Sequence, residues 1–178
     1  MAELREAGPA DAEVIAGLHS ASWKATYDGI LPDRYLRDEV GGERLDYWRA
    51  AMARADYAIV RLLHEAGEAI GFSALKTGQD EGYDYTLEHI HLAPHTRGRG
   101  LGRALMADAA RQVKAAGSTS LCLWVFDDNK AAVRFYTRLG GVADAHGTDK
   151  FAGGDAPDTR IAWRDLDALI AACEEAGR

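Results

Sequence analysis

Residues 92–105 read Leu-Ala-Pro-His-Thr-Arg-Gly-Arg-Gly-Leu-Gly-Arg-Ala-Leu and carry the strongest structural signal in the chain. An apolar, strand-like stretch stops at Pro94, three glycines alternate with larger residues, and a helical pattern follows from Leu101. Glycines spaced this closely let the backbone approach a ligand and turn its amides outward. Because the first N–H groups of a helix lack internal partners and its dipole attracts negative charge, the turn predicts a phosphate or pyrophosphate cradle.

The spacing of these glycines excludes two common classes of phosphate-binding loop. A dinucleotide-binding fingerprint has the pattern Gly-x-Gly-x-x-Gly, and its third glycine is missing whether the pattern starts at Gly98 or Gly100. A Walker loop ends in Gly-Lys-Ser/Thr, and that sequence is also absent. The pattern that fits is Arg-x-x-Gly-x-Gly, beginning at Arg97. A tight turn with a capped helix behind it would have the same composition. Three arginines add positive charge around the turn: Arg97, Arg99 and Arg103.

Residues 121–141 contain a second strand and helix. A run typical of a buried strand, Leu121 to Phe126, ends in Asp-Asp-Asn, and a helical pattern follows. Gly140 predicts the end of that helix. Its apolar positions lie on one face: Ala132, Phe135, Tyr136 and Leu139.

Both stretches resemble motifs of the GNAT N-acetyltransferase superfamily. The pattern from Arg97 is similar to the family's Gln/Arg-x-x-Gly-x-Gly/Ala signature. The pattern Asn-x-x-Ala-x-x-Phe-Tyr-x-x-x-Gly, which begins at Asn129, is similar to its second motif. The two motifs stand in the family's order and at its spacing. The resemblance implies a mixed α/β fold in one domain over residues 1–178, with a central twisted, mostly antiparallel sheet, flanking helices and a strand–turn–helix cradle for acetyl-CoA.

The hydrophobic pattern along the chain agrees with a mixed sheet. The predicted strands are Glu3–Glu6, Ala58–Leu63, Ala69–Leu75, Thr86–Leu92, Leu121–Phe126, Val142–Ala145 and Arg160–Trp163. A hairpin turn is expected around Glu65-Ala66-Gly67, and the segment between the last two strands, rich in Gly, Asp and Pro, is expected to be a loop. Helices are predicted near Pro9, over 33–53 with an interruption at Gly41-Gly42, over about 100–116 and 129–139, and at the C-terminus.

The resemblance implies that acetyl-CoA is the acetyl donor and that no metal takes part. In the family the glycine turn holds the pyrophosphate, the residue at Asn129 bonds the pantetheine arm, and a backbone N–H around Leu92 stabilises the oxyanion. Asn129 also stands where a helix N-cap is preferred. The expected cofactor-binding residues are Leu92, Ala93, Arg97, Gly98, Arg99, Gly100, Leu101, Gly102, Arg103, Asn129, Ala132, Phe135 and Tyr136.

Acetyl transfer to an amine needs a base for the ammonium proton and an acid for the departing thiolate. The family's tyrosine position makes Tyr136 the acid, although an aromatic residue on a buried helix face would show the same pattern. Glu88 is the first choice of base, while Thr86 stands at the commoner family position on the same strand face. His91, on the opposite face, has a suitable unperturbed pKa. A site with no single dedicated base is the remaining alternative.

Acceptor binding is expected at the first helix. Trp23, Tyr27 and the following Gly29-Ile-Leu-Pro32 resemble a pattern found in many small-molecule and uncharacterised members of the family. Their rings could form an aromatic wall for a cationic amine or serve as core anchors. Glu88 is expected to contact the acceptor as well. The other tryptophans are interpreted as packing residues: Trp48, Trp124 and Trp163.

Composition limits the partners and the location. The formal charge of −7 argues against nucleic acid and favours cationic substrates. No signal peptide core or membrane-length apolar run is present, so a cytoplasmic protein is expected. Cys122 and Cys173 suggest neither a disulfide framework nor a metal site.

The main functional hypothesis is an N-acetyltransferase acting on a small-molecule amine. The alternatives are acetylation of protein N-termini or lysines, and a regulatory module that binds CoA without turnover. A homodimer is left open as the oligomeric state.

Overall fold

The structure is a computed structural model that describes residues 2–29, 32–96, 98–151 and 154–175. The strands are β1 Ala2–Glu6, β2 Ile59–Glu65, β3 Glu68–Thr77, β4 Tyr85–Leu92, β5 Leu121–Phe126, β6 Val142–Phe151 and β7 Gly154–Trp163. The α-helices are α1 Ala12–Tyr27, α2 Val40–Arg54, α3 Leu101–Ala115, α4 Lys130–Arg138 and α5 Leu166–Glu175.

The strands form one seven-stranded sheet in the order β1-β2-β3-β4-β5-β7-β6. The β4–β5 pair is parallel, with Tyr85 opposite Leu121 and Thr86 opposite Cys122. The β1–β2, β2–β3, β5–β7 and β6–β7 pairs are antiparallel. The predicted mixed α/β fold with a mostly antiparallel sheet is therefore confirmed.

Backbone contacts group the described residues into two units. The first contains the residues up to Leu75 and His89–Leu105. In it α1 and α2 pack on β2 and β3 through buried side chains that include Ile15, Trp48 and Phe72. The prediction of a single domain stays a prediction.

The second unit contains Lys76–Glu88 and the residues from Met106 onward. The indole N–H of Trp163 donates to the carbonyl of Leu139 at 2.9 Å, which ties β7 to the end of α4. A Cβ on Gly141 would lie 2.7 Å from Cζ2 of Trp163, so a glycine is needed for this close approach.

The β2–β3 hairpin confirms the predicted turn. Glu65 pairs with Glu68, and the two residues between them have positive φ angles, 51° at Ala66 and 84° at Gly67. Positive φ at both central residues is typical of the two-residue turn whose twist matches that of the flanking strands.

The prediction of a loop between two short final strands was wrong. β6 and β7 are each ten residues long and pair from Val142 opposite Ala162 to Phe151 opposite Gly154. Glycine, aspartate and proline disfavour strands on average, but pairing across the hairpin outweighs that local preference. The second predicted helix also differs: its irregularity is a π-helical stretch at Tyr35–Glu39, and Gly41 and Gly42 lie inside α2.

Candidate active site

The glycine turn leads directly into α3, which begins at Leu101. Gly98 and Gly100 have φ angles of +78° and +77°, a region that favours glycine, and open space lies where their Cβ atoms would stand. The N–H groups of Arg103 and Ala104 donate to the carbonyl of Gly100 at 3.0 and 3.3 Å. The amides of Leu101 and Gly102, which precede them, lie at the N-terminus of α3. This geometry fits an anionic phosphate group.

Close packing holds the strand that enters this turn. A Cβ on Gly71 would lie 2.7 Å from Cδ2 of Leu92 and 2.9 Å from the carbonyl of His91. The N–H of Ala93 donates to the carbonyl of Ile70 at 2.8 Å. The half-buried Leu92 packs against an apolar cluster of the first unit, and the N–H of Ala93 is already bonded within the protein.

The three predicted arginines have different positions. Arg97 lies outside the described residues. Arg99 forms an ion pair of 2.7 Å with Glu65, and this hydrogen bond holds the pKa of the Glu65 carboxyl below its usual value. Arg103 and Gly102 lie in the first turn of α3. Of the two described arginines, Arg99 is thus ion-paired just before α3, and Arg103 lies in its first turn.

Asn129 caps α4 in the second unit. Its Oδ1 accepts the N–H of Ala132 at 3.2 Å, and its backbone carbonyl accepts the N–H of Val133 at 3.0 Å. The capping interpretation is therefore confirmed. The capping bond uses only the side-chain oxygen of Asn129, so a pantetheine contact stays a prediction. Phe135 is half-buried on the same helix.

Tyr136 lies on the buried face of α4. The residue is 8% exposed, and its ring packs edge-on at 5.2 Å from Phe135 and 6.1 Å from Trp163. Burial raises the pKa of its phenol, so the hydroxyl keeps its proton at neutral pH. A protonated phenol suits the predicted acid, and the ring contacts agree equally with a packing role.

Glu88 is an exposed residue of β4 in the second unit. Neighbouring protein atoms partly desolvate its carboxyl group and raise its pKa; the charges of Asp80 and Asp149 act in the same direction and Lys76 opposes them. Thr86, two residues earlier, is buried and donates a 2.7 Å hydrogen bond to Oδ2 of Asp80. Of the two positions, Glu88 is the one with a carboxyl group open to an acceptor.

His91 belongs to a buried aromatic cluster in the first unit. Its Nδ1 lies 3.0 Å from Oγ of Ser22, and its ring lies 4.4 Å from that of His19. Desolvation, assisted by the charge of Arg44, lowers its pKa to about 4. An imidazole with this pKa is a weak base at neutral pH, which favours Glu88.

His19, His89 and His91 have ring nitrogens close enough together to hold a metal ion: one atom from each lies within 4.8 Å of the others. However, the indole N–H of Trp48 donates to Nδ1 of His19 at 2.9 Å. Burial lowers the pKa of His19, so its neutral ring carries the proton on Nε2 and presents a donor there. The protonation of His19 is therefore unsuited to a metal ligand.

An arginine side chain already lies over the aromatic wall predicted to bind a cationic amine. Trp23 and Tyr27 pack edge-on at 5.4 Å, and the guanidinium of Arg44 lies 4.8 Å from the Trp23 ring. Trp23 also packs 5.4 Å from His19, which fits a core anchor. Ile30 and Leu31 of the same predicted pattern lie outside the described residues. Arg44 would repel an ammonium group at this wall.

Trp124 differs from its predicted packing role. It is 37% exposed, and its indole N–H donates to Oδ1 of Asp80 at 2.8 Å. Trp48 and Trp163 are buried as predicted. The alternation along β5 places Trp124 on the sheet face away from Tyr136 and Trp163, which the apolar run of residues 121–126 does not reveal.

A family model matches the chain over residues 23–141. It describes the acetyltransferase (GNAT) family, and the chain belongs to that family. A relative named "Uncharacterized N-acetyltransferase YuaI" from Bacillus subtilis is 30% identical over 171 residues, which cover 95% of this chain and 96% of the relative. The streptothricin acetyltransferase of Streptomyces lavendulae is 31% identical over 78% of this chain and 80% of its own.

A solved structure shares the fold. The PaiA N-acetyltransferase of Thermoplasma acidophilum, determined in complex with coenzyme A, superposes with a TM-score of 0.70 at 21% identity over 92% of this chain and 99% of its own. These comparisons confirm the predicted family, fold and acyltransferase class, with acetyl-CoA as the family's cosubstrate. Among the described residues, no helix has the length and apolar character needed to cross a membrane.

Proposed function

We propose that this protein transfers an acetyl group from acetyl-CoA to a primary amine of a small molecule. The observation that carries the proposal is Glu88, an exposed but partly desolvated carboxyl group on the strand that leads to the glycine turn. When bound, acetyl-CoA supplies an activated thioester. A protonated amine cannot attack that thioester until it loses a proton, so a base with a raised pKa is the group the reaction needs most.

The glycine turn and α4 are proposed to hold the cosubstrate. The amides at the start of α3 and the side chain of Arg103 would bind the pyrophosphate, because both present positive charge to it. Asn129 and the α4 residues Ala132 and Phe135 would contact the pantetheine arm, with the amide nitrogen of Asn129 as donor. Support comes from the positive φ angles and open space at Gly98 and Gly100.

Two side chains are proposed to move protons. The Glu88 carboxylate takes a proton from the acceptor ammonium, and the freed nitrogen forms a bond to the acetyl carbon as the carbon–sulfur bond breaks. The Tyr136 hydroxyl gives a proton to the departing sulfur, and the resulting phenolate recovers a proton as the new amide nitrogen loses its second one. The raised pKa of Glu88 makes it a stronger base, and the phenol of Tyr136 is protonated at neutral pH and can donate.

The net charge of the chain and its similarity to a named relative support a small-molecule acceptor. The chain carries a net charge of −7, which attracts ammonium groups, and the relative from S. lavendulae bears the name of a small-molecule acetyltransferase. The proposal also places the protein in the cytoplasm, in reach of acetyl-CoA.

The proposal is tested by release of free thiol from acetyl-CoA with a panel of small amines and of peptides with free N-termini. Amine-dependent release with small amines, and slower release with every peptide, is expected. Release with peptides alone would replace the small-molecule acceptor by a protein acceptor. Binding of CoA without release in the presence of any amine would favour a regulatory module instead.

A further inference from the structure

One face of the sheet in the second unit carries acidic side chains beside an exposed indole. Paired residues of neighbouring strands share a face, and side chains alternate along each strand. Phe126 on β5 pairs with Asp158 on β7, and Asp158 pairs with Gly147 on β6. Trp124 lies two residues before Phe126 and therefore shares this face. Asp149 lies two residues after Gly147 and shares it for the same reason.

Glu88, on the central strand β4, lies on the same face by the alternation of side chains along the strands. Thr86 pairs with Cys122 across the parallel β4–β5 ladder, and Glu88 and Trp124 each lie two residues further along. β5 stands between β4 and β7. The β7 residue that pairs with Trp124 is Arg160, and Asp158 lies two residues before it on the same face. At the last paired residues of β4 and β5, Thr86 and Cys122, two strand spacings separate β4 from β7 by about 10 Å. We call Glu88, Trp124, Asp149 and Asp158 the Trp124 patch.

Asp158 has a carboxylate oxygen without a protein partner. The residue is 9% exposed, and among the described residues nothing hydrogen-bonds its Oδ1. A Cβ on Gly147 would lie 2.6 Å from that oxygen and 3.0 Å from Cζ3 of Trp124, so the carboxylate and the indole edge lie side by side. A buried acceptor without a partner is costly, and a ligand that brings a donor would relieve that cost.

Asp149 links the two ends of the patch electrostatically. Desolvation raises the pKa of Asp158, and the charges of Asp149 and then Asp127 raise it further. Desolvation is likewise the main cause at Glu88, where Asp149 also contributes. One carboxylate thus acts on both Glu88 and Asp158, and at Glu88 the charge of Lys76 opposes it.

Two cations of the second unit lie near the patch: Lys76, whose charge lowers the pKa of Glu88, and Arg160, which is ion-paired. Arg160 lies 5.8 Å from the Trp124 ring. Its guanidinium binds Oδ1 of Asp144 at 2.8 Å and Oδ1 of Asp80 at 3.5 Å. Two carboxylates face one guanidinium there, so Arg160 does not cancel the charge of the patch. The Trp23 wall, by contrast, has Arg44 over its ring.

From these contacts we infer that the acceptor is a dication bound across the Trp124 patch. Glu88 holds the ammonium group that becomes acetylated, Asp158 and Asp149 hold the second ammonium group, and the connecting carbon chain lies on the exposed indole. This inference rests on the proposed function and specifies its substrate class: a diamine whose charges stand several methylene groups apart. The second ammonium supplies the donor that Asp158 lacks.

The test compares acetylation of 1,4-diaminobutane with that of butylamine, which has the same chain and one charge. The wild-type KM is expected to be at least about tenfold lower for the diamine, the scale of one charged hydrogen bond. Asp158→Asn should raise the diamine KM by about tenfold and leave kcat and KM for butylamine unchanged. Asp155→Asn is the matched control, because it removes the same charge from the opposite face of β7 and should change neither amine.

Three results would overturn the inference: an equal KM for the two amines in the wild type, an unchanged diamine KM in Asp158→Asn, or an equal loss with both amines. Turnover of butylamine without a diamine preference would leave the proposed function standing. If neither amine is acetylated, calorimetric binding of 1,4-diaminobutane decides. Binding that is lost in Asp158→Asn and kept in Asp155→Asn supports the patch, and absent or equal binding overturns it.

Discussion

The imidazole rings of His19 and His91 lie 4.4 Å apart, inside an aromatic cluster that also contains Phe72. Desolvation lowers the pKa of both rings, and the charge of His91 lowers that of His19 further. Both histidines are therefore neutral in the folded protein at neutral pH. The cluster joins α1 to β4, the strand that enters the glycine turn, so its protonation affects the stability of the first unit.

Stability should fall in mild acid because of His91. Its pKa is about 4 in the folded protein, and an unfolded histidine has a pKa of about 6.5. The unfolded state thus binds more protons between these values, and the free energy of unfolding decreases as pH falls through them. From about pH 7.5 to about pH 5, His91→Gln should lose about 2 kcal/mol less than the wild type in urea unfolding. His95→Gln, at an exposed histidine, should lose as much as the wild type. Equal losses in all three proteins would contradict a desolvated, neutral His91.

The glycine turn can be tested through CoA affinity. Gly100→Val should abolish calorimetric binding of acetyl-CoA, because φ is +77° there and a side chain would enter the open space assigned to the pyrophosphate. Gly117→Val imposes the same strain at the other end of α3, where φ is +82°, and should keep the affinity. A folded Gly100→Val protein with wild-type affinity would remove the turn from the binding site.

The sequence predicts the site residues that depend on local pattern. The glycine turn, the Asn129 cap and the buried Tyr136 each follow from residues within one strand–turn–helix segment, where spacing alone sets the geometry. The β2–β3 turn is predictable for the same reason, since Ala66 and Gly67 adopt positive φ in a two-residue loop.

The features that the sequence does not predict depend on contacts between distant segments. Arg44 on α2 reaches the ring of Trp23 on α1, and nothing in either helix pattern indicates that pairing. Gly71 looks like an ordinary strand residue, yet a side chain there would collide with Leu92. The exposed Trp124 lies on the sheet face opposite to Leu121 and Trp163, and an apolar run does not distinguish the two faces.

Glu88→Gln tests the base through the pH dependence of kcat/KM. A carboxyl accepts a proton only when it is ionised, so wild-type activity should fall as pH drops through the raised pKa of Glu88. The variant should lose about 10²- to 10⁴-fold in turnover, lack this acidic limb and bind acetyl-CoA normally. Glu81→Gln, at an exposed glutamate before β4, is the matched control and should keep the wild-type profile. A Glu88→Gln profile that overlays the wild type would place the base elsewhere, with His91→Gln as the next variant.

Two substitutions distinguish an acid role of Tyr136 from a packing role. Tyr136→Phe keeps the ring that lies against Trp163 but lacks the proton donor, so it should retain the melting temperature and lose about 10²- to 10⁴-fold in turnover. Tyr136→Ala should lose stability as well, by about 3–5 kcal/mol as for other large buried rings. Near wild-type turnover in the Phe variant would leave Tyr136 with packing alone.

The most direct measurement of the central claim is the stoichiometry of the reaction. The protein is incubated with acetyl-CoA and a panel of monoamines and diamines, free thiol is counted, and products are identified by mass spectrometry. The proposed function predicts one N-acetylated amine for each CoA thiol released, and loss of both in Glu88→Gln. Thiol release that is independent of amine, or no acetylated product from any amine in the panel, would contradict it.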